Sequence, residues 1–376
     1  MKQEISFIQI NKTKSLPEIA LALSKLSQIN GLQKAKKKLP EFHQNSNIIY
    51  PATISIEQCS SEQTAVFKSN LIKGKSMIDL TGGFGIDSYY FSKQFNTLTY
   101  IEPNVELFEI VKQNFNTLKA TNIICENTTT EDFLKTNNQQ FDVAYIDPSR
   151  RNEIQKVFML ADCIPNIVDL KKGILKFTNQ ILIKTSPILD IKQSIKELGN
   201  VSKIWVISLN NECKEVLYLV DQTKTKSPTL HAINIGQSTQ QFSFDYETEE
   251  ICATKFSEPL NYLYEPNASI LKAGAFKSIA KKYNLKKLAT NTHLYTSEKL
   301  LTDFPGRSFK INNIIPYQVK AFKKLGIKKA NITCRNFTNK VEQVKKKLNL
   351  TDGGNDYIFA TNNLDNKPIL ITTIKA

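Results

Sequence analysis

Between residues 77 and 185, short apolar runs closed by an acid, a lysine or a turn residue alternate with segments whose apolar positions recur at helical spacing. The runs at 78–81, 98–102, 122–125, 141–146 and 180–184 predict strands. Residues 86–95 and 105–119 predict helices between them, the second cleanly amphipathic. Two further runs, 205–209 and 215–220, predict a hairpin across 210–213. Strands that alternate with helices and close on a hairpin give an α/β fold: a mostly parallel sheet with a terminal antiparallel hairpin strand.

The flanks read differently. Residues 16–26 have helical spacing with Pro17 in the first turn, and 54–59 suggest a short strand entering a capped helix that runs to about 71. A basic run at 33–40 reads as a solvated helix face, with contact to a substrate backbone as the alternative. Beyond a polar stretch at 221–228 come a predicted helix at 269–283 and, from 303 onward, a strand, helix, strand, helix and hairpin. Lysines crowd these last helices at Lys323, Lys324, Lys328, Lys329, Lys345, Lys346 and Lys347.

Composition narrows the function classes. The chain has 376 residues and 41% hydrophobic residues, enough for two or three cores. Its 50 Lys and Arg against 35 Asp and Glu give a net charge of +15, which favours a polyanionic partner. Six scattered cysteines without a Cys-x-x-Cys pair, and three histidines, argue against a disulfide framework and against a metal site. No basic stretch followed by an apolar run opens the chain, and no eighteen consecutive residues are apolar. A soluble, cytoplasmic protein without membrane contact is expected.

The chemistry concentrates at three strand ends. After 78–81 the chain reads Asp79, Thr81, Gly82, Gly83 and Gly85, a strand turning into a helix through a loop suited to close ligand approach. Glu102 closes the second strand, where one carboxylate offers two acceptor oxygens to a pair of ribose hydroxyls. Asp147, Pro148, Ser149, Arg150 and Arg151 follow the fourth strand. An acid placed before the glycines suits a cationic ligand better than a pyrophosphate, which prefers bare amides.

These three motifs, in this order, resemble those of class I S-adenosylmethionine-dependent methyltransferases, and the pieces outside the core resemble the subgroup with a THUMP-like C-terminal domain. The resemblance implies a Rossmann-like core at 73–222 behind an N-terminal helical segment at 1–72. A small α+β, ferredoxin-like domain at 223–300 and a THUMP-like domain at 301–376 would follow. It implies S-adenosylmethionine as cofactor, held by Asp79, Thr81, Gly82, Gly83, Gly85 and Glu102. Asn127 or a neighbouring threonine such as Thr129 would stand near the adenine, Thr129 being equally suited to cap a helix. Ser61 and Thr64 are candidates to cover the methionine end, although helix capping explains Ser61 equally well.

Asp147, Pro148 and Arg150 are the catalytic candidates: a carboxylate to accept a hydrogen bond or proton, a rigid turn, and an arginine that, like Arg151, either clamps a phosphate or pairs with nearby acids. Against this, Asp147 could simply cap a following helix. Carbon-5 methylation of a pyrimidine needs a cysteine nucleophile, yet neither Asp147–Arg150 nor Lys184–Pro187 contains one. Cys213 is a distant candidate better explained as a buried thiol. The second proline and the aromatic residue common among enzymes that methylate exocyclic amines are replaced by Ser149 and Arg150. The leading expectation is a methyltransferase acting on RNA, gripped by the basic C-terminal domain. Two alternatives are a nicotinamide-dependent oxidoreductase, disfavoured by the missing Gly-x-Gly-x-x-Gly, and a non-catalytic RNA-binding protein.

Overall fold

The computed structural model describes residues 16–150, 159–223 and 227–376, apart from the side chains of 16–25 and Arg150. The chain divides into two compact units: residues up to Val201 with Leu217–Thr225, and Ser202–Val216 with Lys226–Ala376.

The first unit is built on β1 (Gly74–Asp79), β2 (Phe95–Ile101), β3 (Ile123–Glu126), β4 (Phe141–Ile146) and β7 (Thr178–Thr185), with β5 (Ser149–Arg150) and β6 (Cys163–Ile164) as a two-residue antiparallel pair. The main strands are parallel and run in the order β7-β4-β1-β2-β3. Strand β1 is central, so Met77 and Ile78 are fully buried, as expected for a strand covered on both faces. In register, Asp79 faces Tyr100 on one side and Tyr145 on the other. The ends of β1, β2 and β4 are therefore flush, and the loops after them open along one edge.

Among the described residues four helices precede β1: Leu16–Lys38, Pro40–His43, Thr53–Gln58 and Glu62–Ser69. The third replaces the short strand expected at 54–59. Glu41 ties these helices to the core by accepting from Tyr89 Oη at 2.6 Å, Tyr90 Oη at 2.9 Å and Lys93 Nζ at 3.0 Å. Asn114 adds a reciprocal pair with the Ile49 backbone at 2.8 Å in each direction. Part of the basic run is used inside the fold: Lys34 pairs with Glu57, and Lys38 donates to the Ile56 and Glu57 carbonyls.

Strand β8 (Val201–Leu209) turns into β9 (Glu212–Asp221) through Asn210 and Asn211, at φ +51° and +65°, and Ser202–Val216 of this hairpin belong to the second unit. Asparagine tolerates that left-handed pair, the geometry of a tight hairpin. Strand β10 (Thr229–Ile235) lies parallel to β8, and β11 (Gln240–Phe244) antiparallel to β10. A seven-stranded sheet follows: β12 (Tyr262–Pro266), β13 (Lys286–Ala289), β14 (Thr292–Ser297), β15 (Gly306–Pro316), β16 (Asn331–Cys334), β17 (Asp356–Asn362) and β18 (Pro368–Lys375). Its order is β13-β14-β12-β15-β18-β17-β16, so the two C-terminal regions share one sheet through the β12–β15 pairing.

The helix expected at 269–283 is two helices, Ala268–Ala273 and Phe276–Lys282, because Gly274 takes φ +82° and ends the first. Val319–Lys323 and Val341–Leu348 bury Phe322, Val344 and Leu348 in a core with Ile358 and Leu370. Their lysines stay outside: Lys323, Lys324, Lys328, Lys329, Lys346 and Lys347 are exposed, while Lys345 is half-buried and paired with Asp352 at 2.6 Å. Among the described residues no helix is long and apolar enough to cross a membrane, and no group of three His, Cys, Asp or Glu could hold a metal ion.

Candidate active site

The loop after β1 is fixed from below. Asp79 is 1% exposed; its Oδ1 accepts the Thr81 backbone N–H at 3.0 Å and its Oδ2 accepts from Ser88 Oγ at 2.5 Å. Burial pushes its carboxyl up to about 7, against the two hydrogen bonds that favour the charged form. Both oxygens thus organise the loop, a role not evident from the acid's position alone. Thr81 Oγ1 in turn accepts the Asp147 backbone N–H at 2.7 Å, tying the first motif to the third.

The glycines have two different reasons. A Cβ on Gly82 would stand 2.1 Å from the Tyr100 ring, and one on Gly85, at φ +73°, 2.7 Å from Val111 and Phe115. Those two are demanded by the protein's own packing. At Gly83, by contrast, with φ +53°, a Cβ would meet nothing nearer than the Thr81 carbonyl oxygen at 3.9 Å. The Gly83 carbonyl accepts from Tyr100 Oη at 2.6 Å and its N–H donates to Glu102 Oε2 at 2.9 Å.

Glu102 is 8% exposed, and its Oε1 accepts the Asn104 N–H at 2.8 Å. Burial raises its pKa, partly offset by these backbone donors. Each oxygen has taken one protein donor and retains a lone pair. Asn127 is exposed and donates through Nδ2 to the Glu102 carbonyl at 2.7 Å. Thr129 caps the helix Thr130–Thr136, its Oγ1 accepting the Asp132 N–H at 3.1 Å. Ser61 caps Glu62–Ser69 in the same way, accepting the Thr64 N–H at 3.3 Å.

Asp147 leaves β4 at the same edge, followed by the buried Pro148. The reading of Asp147 as a helix cap is corrected here, since strand β5 follows it and not a helix. The side chain of Arg150, and all of Arg151, lie outside the described residues.

The sequence reading missed the partner of Asp147. Lys184, at the end of β7 and 8% exposed, places Nζ 2.5 Å from Asp147 Oδ2. It also stands 3.4 Å from Asp87 Oδ2 and 3.2 Å from Ser60 Oγ. Asp87 receives Tyr145 Oη at 2.7 Å, Ser60 Oγ at 2.9 Å and the fully buried Lys68 Nζ at 2.9 Å. Its carboxyl is held far below the usual range, because the two lysines outweigh the cost of burial. Two aspartates and two lysines thus form a compensated network behind the site, the arrangement a low-dielectric interior requires of buried charge. An apolar run ending in a lysine, and an acid two places after Gly85, were the available signals.

Residues 60–203 match a family described as Conserved hypothetical protein 95, residues 262–305 a ferredoxin-like domain and residues 306–375 a THUMP-like domain. No curated protein matches the chain. The crystal structure of a "putative methyltransferase" from Porphyromonas gingivalis W83 is similar over 100% of this chain and 98% of its own, with 30% identity and a TM-score of 0.88. A "putative methyltransferase" from Streptococcus mutans in complex with SAH is similar over 43% of this chain and 96% of its own, at 16% identity and a TM-score of 0.32. An rRNA methylase from Streptococcus thermophilus covers 43% and 95%, at 11% identity and 0.31. Neither of these two scores adds to the assignment. The full-length match, together with the three domain matches, is enough: the chain belongs to the methyltransferase family represented by the Porphyromonas gingivalis protein, with a class I core followed by ferredoxin-like and THUMP-like domains.

Proposed function

We propose that the protein uses S-adenosylmethionine to methylate a nitrogen of a base in RNA. The observation that carries this reading is Asp147 at the edge of the glycine loop, its backbone N–H donating to Thr81 Oγ1 and its carboxylate paired with Lys184. The donor set fits the cofactor. Glu102 keeps a lone pair on each oxygen for the ribose hydroxyls, Gly83 has no side chain packed against it, and Asp79 places negative charge beneath the loop. Thr81, Gly82 and Gly85 shape that loop, while Asn127 and Thr129 stand on the side proposed for the adenine. Bound there, S-adenosylmethionine would supply an electrophilic methyl group on its sulfonium.

The chain's own task is alignment and the exclusion of water. Asp147 accepts a hydrogen bond from a substrate N–H and so turns the nitrogen lone pair toward the methyl. Lys184 keeps that carboxylate in place through the network anchored on Asp87, and Pro148 stiffens the turn. Arg150 is proposed to meet a substrate phosphate. Nitrogen is favoured over pyrimidine carbon 5 because no cysteine follows β4 or β7, and burial pushes the Cys213 thiol up to about 11, far from a ready thiolate.

RNA is favoured by charge. Residues 306–375 contain 14 Lys and Arg against 4 Asp and Glu, a composition suited to binding phosphates. Two measurements test the proposal. Calorimetry should detect binding of S-adenosylmethionine and of its demethylated product; absence of both would sink it. Mass spectrometry of nucleosides from cells with and without the protein should reveal one methylated nucleoside that disappears, and an unchanged RNA profile would reject the substrate class.

A further inference from the structure

A cleft of about 270 Å³ opens in the second unit beside the Asn210–Asn211 turn. Asn210, Asn211, Asn234, Gln237, Gln240 and Arg307 line it, and no acidic or apolar side chain does. An amide offers a donor end and an acceptor end, so what this wall presents depends on which end is already used.

Asn234 Oδ1 accepts the Asn211 backbone N–H at 2.8 Å and Ser208 Oγ at 2.9 Å. Asn211 Oδ1 accepts the Ala268 backbone N–H at 2.7 Å. A backbone N–H can only donate, which fixes the orientation of both amides and leaves their NH₂ groups for the cleft. Gln240 Oε1 is likewise taken, by Asn267 Nδ2 at 2.8 Å. Arg307 donates through Nε to Glu265 at 2.8 Å and pairs with it again through Nη2. Glu265 is 1% exposed and also pairs with Arg335 at 2.6 Å, so one acid faces two arginines and the group keeps a net positive charge. Among the described residues Nη1 of Arg307 has no hydrogen-bond partner.

We infer that this cleft is a phosphate-binding site. The side-chain oxygens of Asn211 and Asn234 are engaged by backbone N–H groups, which leaves their NH₂ groups and Nη1 of Arg307 as donors beside the cleft, while the amides of Asn210 and Gln237 can present either end. With no carboxylate in the wall and a net positive charge at the Arg307 end, the set favours an anion over a cation or a neutral ligand. A phosphate, whose oxygens only accept, is well served. Two sources share this chemistry: a phosphodiester of a nucleic-acid strand and a free phosphate monoester. The site uses no residue of the proposed methyl-transfer centre, and so stands or falls apart from it.

The test uses the full chain with nitrogen-15 in its asparagine side chains, titrated separately with inorganic phosphate, adenosine monophosphate and a single-stranded oligouridylate. The NH₂ signals of Asn211 and Asn234, assigned by single substitution, should move. Movement with the oligomer alone makes nucleic acid the source; movement with either small phosphate alone makes it a free phosphate. Asn211→Asp with Asn234→Asp keeps the acceptor oxygens and replaces both donors by oxygens that repel phosphate. This double variant should bind the active probe about tenfold more weakly or worse, with an unchanged melting temperature. The inference is overturned if neither signal moves with any of the three probes, or if the double variant binds like the wild type. The wild-type spectra decide the matter even if the double variant fails to fold.

Discussion

Asp79 makes a prediction in which stability and binding oppose each other. Its carboxyl has an ordinary value of 3.8 and is pushed up to about 7 in the folded chain by burial. For an acid so raised, the folded state binds more protons than the unfolded one between those two values, so stability falls as pH rises through that window and levels off above it. Each pH unit is worth about 1.4 kcal/mol, which gives a cost of about 4 kcal/mol above pH 7 and a loss of about 2 kcal/mol between pH 5.5 and 8.5. Asp79→Asn keeps an acceptor for the Thr81 N–H and a polar partner for Ser88 while removing the charge. Urea unfolding should therefore find the variant more stable at pH 8.5 and lacking about 2 kcal/mol of the wild type's pH dependence. Under the proposed function the ionised form attracts the cationic end of S-adenosylmethionine. Wild-type affinity should then drop about tenfold per pH unit below 7, and the variant's should be low and flat. Calorimetry at pH 6 and pH 8 decides: equal wild-type affinities would refute the placing of cationic charge above Asp79. Unfolding curves with identical pH dependence in the two proteins would refute the buried, raised carboxyl itself.

Three other outcomes are expected. Asp87→Ala removes the carboxylate facing the fully buried Lys68 and the nearly buried Lys184, and should cost about 3 to 5 kcal/mol in thermal or urea unfolding; a cost under about 1 kcal/mol would mean the network is hydrated. Glu102→Ala should weaken cofactor binding by about 2 to 4 kcal/mol in calorimetry, and a change below about threefold would mean the acid does not meet the ribose. Replacing the exposed Lys323, Lys324, Lys328 and Lys346 by glutamine should flatten the dependence of RNA affinity on salt, by about 0.7 in log–log slope for each single-strand phosphate that is no longer neutralised; equal slopes would move the grip away from these helices.

What the sequence made legible is what depends on neighbours in the chain. The strands that became β1, β2, β4 and β7 are apolar runs closed by a charge, and such runs have few alternatives once helices separate them. Residues 53–58 failed for a local reason. Ile54 and Ile56 alternate as in a strand, but over so few residues the same spacing fits a short helix, in which Ile56 is buried and Ile54 half exposed. Gly274 carried the opposite lesson: a glycine inside a helical pattern marked a real break, with φ +82°.

The site divides along the same line. Asp79, Gly83, Glu102 and Asp147 could be located because each ends or follows a strand, and parallel strands bring such ends to one edge. The network behind Asp147 could not, because its members are joined only by the fold: Ser60 and Lys184 hydrogen-bond across 124 positions of sequence. Lys68, on the helix Glu62–Ser69, has the spacing of an ordinary solvated lysine, yet it is fully buried. Its burial follows from Asp87, which the helix after Gly85 turns inward, and Asp87 is in turn held by Tyr145 from β4. A buried cation is tolerated only where an anion meets it, so the acid two residues past the glycine loop was the clue to the lysines, and through Lys184 to the carboxylate proposed to meet the substrate.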